Sequence, residues 1–202
     1  MPRPRSLTPT QLATAALAVI DRDGLAGLSM RAVAKELGVS TMALYRYVED
    51  REQLEELVVE LVICAAAAEP PPAELPWRER LGILAVRLRD AVAAHPSAVP
   101  LTLTHRHTSP GLLRWSETVL AVLAEAGFED GRRTVALRCL LAHVIGAIQL
   151  DHLAPLPGRD AGTGPPAADF PHLSRAARHT RNVSAGQEFR EGLAVLLRGL
   201  EA

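Results

Sequence analysis

L-S-M-R-A-V-A-K-E-L-G-V-S-T-M-A-L-Y-R-Y-V, residues Leu28 to Val48, reads as two short helices joined by a tight turn. Apolar residues at Met30, Val33, Ala34 and Leu37 fall at i, i+3, i+4 and i+7, which puts them on one helical face. Ser29 is placed to cap that helix by accepting from a free backbone N–H, and Leu28 and Val33 form a hydrophobic staple across the cap. Gly38 supplies the left-handed backbone that ends the helix, Val39 plugs the turn, and Ser40 or Thr41 caps the second helix. That second helix keeps Leu44, part of Tyr47 and Val48 inward and turns Thr41, Met42, Tyr45 and Arg46 outward. An outward Met and Tyr suit a solvated face poorly, but they suit a surface that meets sugars, thymine methyls and phosphates. The reading is a helix-turn-helix with Thr41 to Tyr47 as its recognition helix.

The flanks extend this into a head. Thr8-Pro9-Thr10-Gln11 is a capping box with Pro at the first helical position, and Leu12, Ala16, Val19 and Ile20 give the adjoining helix one apolar face as far as Gly24. Asp50, three residues before Gln53, caps a further helix whose Leu54, Leu57, Val58, Leu61 and Ala65 continue the seam to about residue 68. The run 69–76 holds four prolines and marks a boundary. The expected division is therefore a DNA-binding head at 1–50, a connecting helix at 51–68 and a larger body at 69–202.

The body reads as further helices. One runs from Trp77 to His95, and a short one from Ser97 to Leu103. Another runs from Gly111 to Ala126 on a stripe of Leu113, Ser116, Leu120 and Leu123, with Gly127 as its stop and Phe128 folding back onto Leu123. The helix opened by Asp130 is apolar around nearly its whole circumference and is expected to be buried on all sides. Residues 155–168, rich in Gly and Pro, read as a loop, and a short helix comes next at 170–179. The last helix carries Phe189, Leu193, Leu196, Leu197 and Leu200 on one stripe, with Gly192 and Gly199 beside it where another helix is expected to come close. Aromatic residues make up only 3% of the chain and no strand-like alternation stands out, so the fold class is all-α.

Net charge is −1, which taken alone argues against a nucleic-acid partner. Its distribution argues otherwise. Residues 1–48 hold six basic side chains (Arg3, Arg5, Arg22, Arg31, Lys35, Arg46) against three acidic ones (Asp21, Asp23, Glu36), a net +3, so the remainder carries −4. Cys64 and Cys139 have no paired spacing and read as reduced core residues. No signal peptide opens the chain and no run of about 20 apolar residues is expected to span a bilayer, so the expectation is a cytoplasmic protein without a membrane partner.

G-V-S-T-M-A-L-Y-R-Y-V at Gly38 to Val48, with Asp50, Arg51 and Leu54 after it, resembles the DNA-binding domain of the TetR family of bacterial one-component repressors. The rest of the chain resembles, by pattern, the regulatory domain of the subgroup nearest the tetracycline repressor. The resemblance implies a homodimer on a palindromic operator, released by a small-molecule effector. It places Arg31, Ser40, Thr41, Met42, Tyr45, Arg46, Tyr47 and Arg51 at DNA-facing positions. Tyr45, Tyr47 and Arg51 fit phosphate contacts, Thr41 and Met42 fit base contacts, and Arg46 fits either a guanine or a phosphate. It places an effector cavity among the body helices, with His105, Arg106, Trp115, His143 and Gln149 as its lining.

His143 and Gln149 interrupt an apolar helix, where buried polar groups need partners. The opposing reading of each is a satisfied core residue. His105-x-His107 is a lone pair with no third ligand at fixed spacing, so neither a metal site nor a cofactor is inferred. There is no Gly-rich phosphate loop, G-x-S-x-G, HExxH or Cys-x-x-Cys, so an enzyme is not expected. The alternative reading is a helical adaptor, or a constitutive DNA-binding protein without an effector.

Overall fold

The computed structural model describes residues 7–67, 69–153, 169–180 and 183–200. All regular structure among them is helical. The chain forms two compact units, Met1–Pro70 with Asp90–Thr118, and Pro71–Arg89 with Val119–Ala202.

The first unit contains α1 (Pro9–Asp23), α2 (Met30–Glu36), α3 (Thr41–Leu44), α4 (Arg51–Ala66) and, beyond α5 (Trp77–Ala93), the short helix α6 (Val99–His105). Its starts are written in local chemistry. Thr8 and Gln11 form the reciprocal capping box, Ser29 accepts from Ala32 N–H, Ser40 from Ala43 N–H, and Asp50 from Gln53 N–H. Gly38 has φ +68°, and the Val39 N–H reaches back to the Ala34 carbonyl at 2.9 Å, closing α2 with a left-handed cap.

Helix α1 packs against α2 and α4, and α4 also packs against α6. Having neighbours on two sides broadens the buried stripes beyond the expected ones. In α1, Ala13, Ala15 and Leu17 are buried besides Leu12, Ala16, Val19 and Ile20. In α4, Leu54, Val58, Val59, Val62, Ile63 and Ala66 are buried, whereas Leu57 and Leu61 are only half-buried and Ala65 is exposed.

The second unit contains α5 up to Arg89, α7 (Pro110–Glu125) from Val119, α8 (Asp130–Leu153), α9 (Pro171–Thr180) and α10 (Ala185–Arg198). Phe128 does fold back, its N–H donating to the Leu123 carbonyl at 3.1 Å and its ring meeting Trp77 edge-on at 5.2 Å. Arg78 donates to the Leu197 and Leu200 carbonyls at 3.1 and 3.0 Å, satisfying the end of α10.

Several expectations need correction. The buried stripe of α7 is Trp115, Val119, Val122 and Leu123, and Leu113 is 64% exposed. Turning Trp115 inward removes more apolar surface from water than turning Leu113 inward would. Helix α8 is buried along one face only, Ala136, Leu140, Val144 and Ile148, while Val135 and Leu150 are 59% and 54% exposed. An 18-residue window within its stretch Asp130–Asp151 is also long and apolar enough to cross a membrane by length and composition, contrary to expectation. Cys139 is exposed on α8 and Cys64 half-buried on α4, so neither is a fully buried core residue.

Gly192 admits a neighbour within its own chain. A Cβ there would lie 2.8 Å from His143 Cε1 on α8, so the glycine makes room for that ring. Gly199 has only the carbonyls of its own last turn nearby. The expected loop at 155–168 and the tail at 1–6 lie outside the described residues, as do the side chains of His152 and His179.

Candidate nucleic-acid interface

The recognition segment is shorter as α-helix than expected and tightens as it ends. After α3, the Arg46 N–H donates to the Ala43 carbonyl at 3.4 Å and the Tyr47 N–H to the Leu44 carbonyl at 2.9 Å, so 45–47 continue as a tighter turn. Leu44 (0% exposed) and Val48 (2%) pin it to the unit's core. Between these anchors Met42 is 76% exposed and Tyr45 48%. Ser40 and Arg46 are exposed, and Thr41 and Tyr47 are half-buried. Exposing a Met this fully on a short, doubly pinned helix places a large apolar side chain where it can meet a partner.

Charge is sorted to match. Arg22 pairs with Glu36 at 2.9 Å and with Asp23 at 3.1 Å, and His95 Nδ1 lies 2.8 Å from Asp21. The three acids of residues 1–48 are therefore each engaged with a basic partner. Arg31, Lys35 and Arg46 have no ion-pair partner among the described residues. Arg51, at the first position of α4, donates from Nε to Glu55 at 2.7 Å with its side chain 47% exposed. Unpaired Arg31, Lys35 and Arg46, an exposed Met and Tyr, and acids each engaged with another side chain make a head that can bind a polyanion and read its grooves.

The five residues expected around an effector fall in both units. In the first, Trp115 is fully buried, Arg106 is half-buried and donates to the Leu103 carbonyl, and His105 Nε2 sits 3.3 Å from Glu55 of α4. In the second, His143 contacts the Phe189 carbonyl through Nε2 at 3.1 Å and stacks on the Phe189 ring at 4.8 Å. It lines a groove of about 370 Å³ between α8 and α10 with Phe189, Leu150 and Gly192. Gln149 is exposed. His107 is exposed, and no group of three His, Cys, Asp or Glu side chains able to hold a metal exists among the described residues.

Two acidic residues of α4 carry roles that the sequence alone does not reveal. Glu55 joins His105, and Glu60 accepts from the Ser109 hydroxyl at 2.8 Å, the Gly111 N–H at 2.8 Å and Arg114 at 2.7 Å. Glu60 thus takes one free N-terminal donor of α7, the Gly111 N–H, while the Ser109 hydroxyl oxygen accepts from Leu112 N–H, and the carboxylate ties that end to α4. The only local signal is Ser109-Pro110, a helix-start pair, and nothing in it points some 50 residues back.

Burial pushes the Glu60 carboxyl up, but the Gly111 N–H, the Ser109 hydroxyl and Arg114 outweigh it and hold the group below the usual carboxylate range. A depressed native pKa means that this tie is fully present above the unfolded carboxylate range and is lost as pH falls through the native value. Glu60→Gln should therefore cost ~1–3 kcal/mol at pH 7, and the difference from the native chain should close in acid. Thermal melts of both proteins from pH 7 to pH 3 check this. Equal melts at pH 7 would mean that Glu60 adds nothing to the joint.

The model of bacterial regulatory proteins of the tetR family matches residues 12–57, and that of the tetracyclin repressor-like C-terminal domain matches 69–202. An HTH-type transcriptional repressor, DrrR1 of Streptomyces coeruleorubidus, is 32% identical over 149 residues, 72% of this chain. This chain spans only about half of that relative, 54% of its length. The class A tetracycline repressor protein of Escherichia coli is 29% identical over 198 residues, covering 96% of this chain and 90% of that protein. Among solved structures, the Streptomyces coelicolor TetR family protein ActR in complex with (S)-DNPA superposes with a TM-score of 0.79 over 96% of each chain at 24% identity, a likeness of fold.

Proposed function

This chain belongs to the TetR family of bacterial regulatory proteins, and we propose that it is a cytoplasmic, ligand-responsive transcriptional repressor that acts by binding, without catalysis. The observation that carries the reading is the recognition segment itself. It is capped by Ser40, pinned by Leu44 and Val48, and presents Met42 and Tyr45 to solvent beside unpaired Arg46. Thr41, Met42 and Arg46 take the base edges. Tyr45, Tyr47 and Arg51 hold phosphates and fix register, with Arg31 and Ser40 at the margin.

The functional division proposed is a DNA-binding head at 1–50, a connecting helix at 51–68, and an effector-binding and dimerisation body at 69–202, with residues 90–118 of that body lying in the same compact unit as the head. The spans of the two matching family models support it. Two copies place two heads on successive major grooves of a palindromic operator. The exposed apolar side chains of α8 and α10, Val135, Leu150 and Val195, favour these helices as the surface that a second copy covers. Such a cover also accounts for the apolar length of α8 without a bilayer. Gly192 does not report on that surface, because a larger residue there meets its own chain's His143 first.

A small molecule in the body shifts operator affinity only as far as it prefers the released state over the bound one. Coupling of ~1–3 kcal/mol corresponds to ~5–150-fold. Helix α6, inside the regulatory span, packs directly on α4, which gives such coupling a physical route. ActR was solved with a small molecule bound, which supports the same capacity here. The test is a thermal-shift screen of small molecules on the full chain, and then titration of each hit against the protein–operator complex. A stabilising hit that releases operator supports the reading. Hits that leave operator binding unchanged throughout would reduce the protein to a constitutive binder.

A further inference from the structure

One carboxylate joins the regulatory span to the DNA-facing start of α4. Glu55 lies one turn into that helix. Its Oε1 accepts from Arg51 Nε at 2.7 Å, and its Oε2 lies 3.3 Å from Nε2 of His105, the last residue of α6. The inner end of this chain is shielded and the outer end is open: the side chains of His105 and Glu55 are 11% and 15% exposed, that of Arg51 47%. Arg51 is steadied a second time by a longer contact, 3.4 Å, to the Leu25 carbonyl.

We propose that Glu55 is a positioning residue for the phosphate contact of Arg51, and that His105 holds Glu55 in place. The position of α6 is then read at the DNA surface through one side chain. The inference rests on the reading of Arg51 as a DNA contact and adds the device that regulates it.

A guanidinium has five N–H donors in a fixed fork, and the Glu55 bond uses the Nε donor. Nη2 spends one donor on the long Leu25 contact, which leaves Nη1 and the second Nη2 donor available to a phosphate, while the Nε bond restricts the rotamers of a long side chain that otherwise loses that freedom on binding. Glu55 can do this only while its own carboxylate is fixed, and its second oxygen is fixed by His105 from a different helix. An effector that draws the end of α6 away from α4 removes that restraint. Arg51 then meets the phosphate as an unrestrained surface charge. His105, one of the residues expected to line an effector cavity, thereby gains a role that needs no contact with the effector.

The test is a double-mutant cycle in operator binding by the full chain, using a duplex that the native protein selects from a random pool. Affinities are measured for the native protein, Arg51→Ala, Glu55→Gln, His105→Ala and the doubles Arg51→Ala/Glu55→Gln and Arg51→Ala/His105→Ala. Arg51→Ala should lower native affinity about tenfold and flatten its salt dependence. In the Glu55→Gln and His105→Ala backgrounds the same substitution should cost no more than about twofold, because the interactions are coupled.

A merely structural ion pair would change melting temperature and leave the Arg51 effect equal in all three backgrounds. That equality overturns the relay while leaving Arg51 a DNA contact. No effect of Arg51→Ala in the native chain overturns the Arg51 assignment and the relay together, and a chain that selects no duplex overturns the repressor reading as well. If Glu55→Gln gives no cooperative melt, the His105 arm alone decides.

Discussion

Met42→Asp is expected to reduce operator affinity by ~100-fold or more while leaving the fold intact. The side chain is 76% exposed and sits in the first turn of the recognition segment, so its loss removes almost no core contact. A base contact is typically worth ~1–3 kcal/mol, and in a dimer each operator loses two. The introduced carboxylate also stands against the phosphate field, which adds repulsion to the lost contact. Mobility shift and thermal melting on the same preparation separate the two outcomes. Unchanged operator affinity would show that the segment does not enter a groove, and loss of the cooperative melt would show that Met42 supports the head.

The second large effect concerns assembly. Leu150→Glu combined with Val195→Asp should convert a dimer into a monomer at micromolar concentration. Both positions are more than half exposed in the single chain, at 54% and 62%, so the substitutions cost the isolated fold little. Stable dimers bury about 1,600 Å² in total, and an unpaired charge buried in such a contact costs ~3–5 kcal/mol. The expected weakening of association is therefore ~100-fold or more. Sedimentation velocity reads it directly, and operator affinity should fall in parallel because each monomer then holds one half-site. A double variant that stays dimeric would place the interface on another face.

The range of an interaction decides whether it is legible in the sequence. The caps of α1, α2, α3 and α4 are legible because each joins residues three apart, and the positive φ of Gly38 because a helix-turn-helix requires it. The outward Met42 and Tyr45 are legible from helical period alone, once Leu44 and Val48 are taken as the inward pair.

Helix rotation is harder to read. In α7 the stripe through Leu113 and the stripe through Trp115 are both periodic, and only the packing chooses Trp115. Helix α8 reads as buried all round because period cannot distinguish a core neighbour from a surface left open by the chain. The joints Glu55–His105 and Glu60–Gly111 link residues about 50 positions apart, and no local pattern encodes such a pair. Gly192 is legible as a point of close approach, but the approaching group is His143 of the same chain.

The most direct test is hydroxyl-radical footprinting of the native protein on a duplex it selects from a random pool. Two protected half-sites should appear, related by two-fold symmetry and spaced by about one helical turn, ~10.5 base pairs, or a multiple of it. Protection should vanish with Met42→Asp. A chain that selects no sequence, or that protects DNA uniformly and only at low salt, would contradict the reading of this protein as an operator-binding regulator.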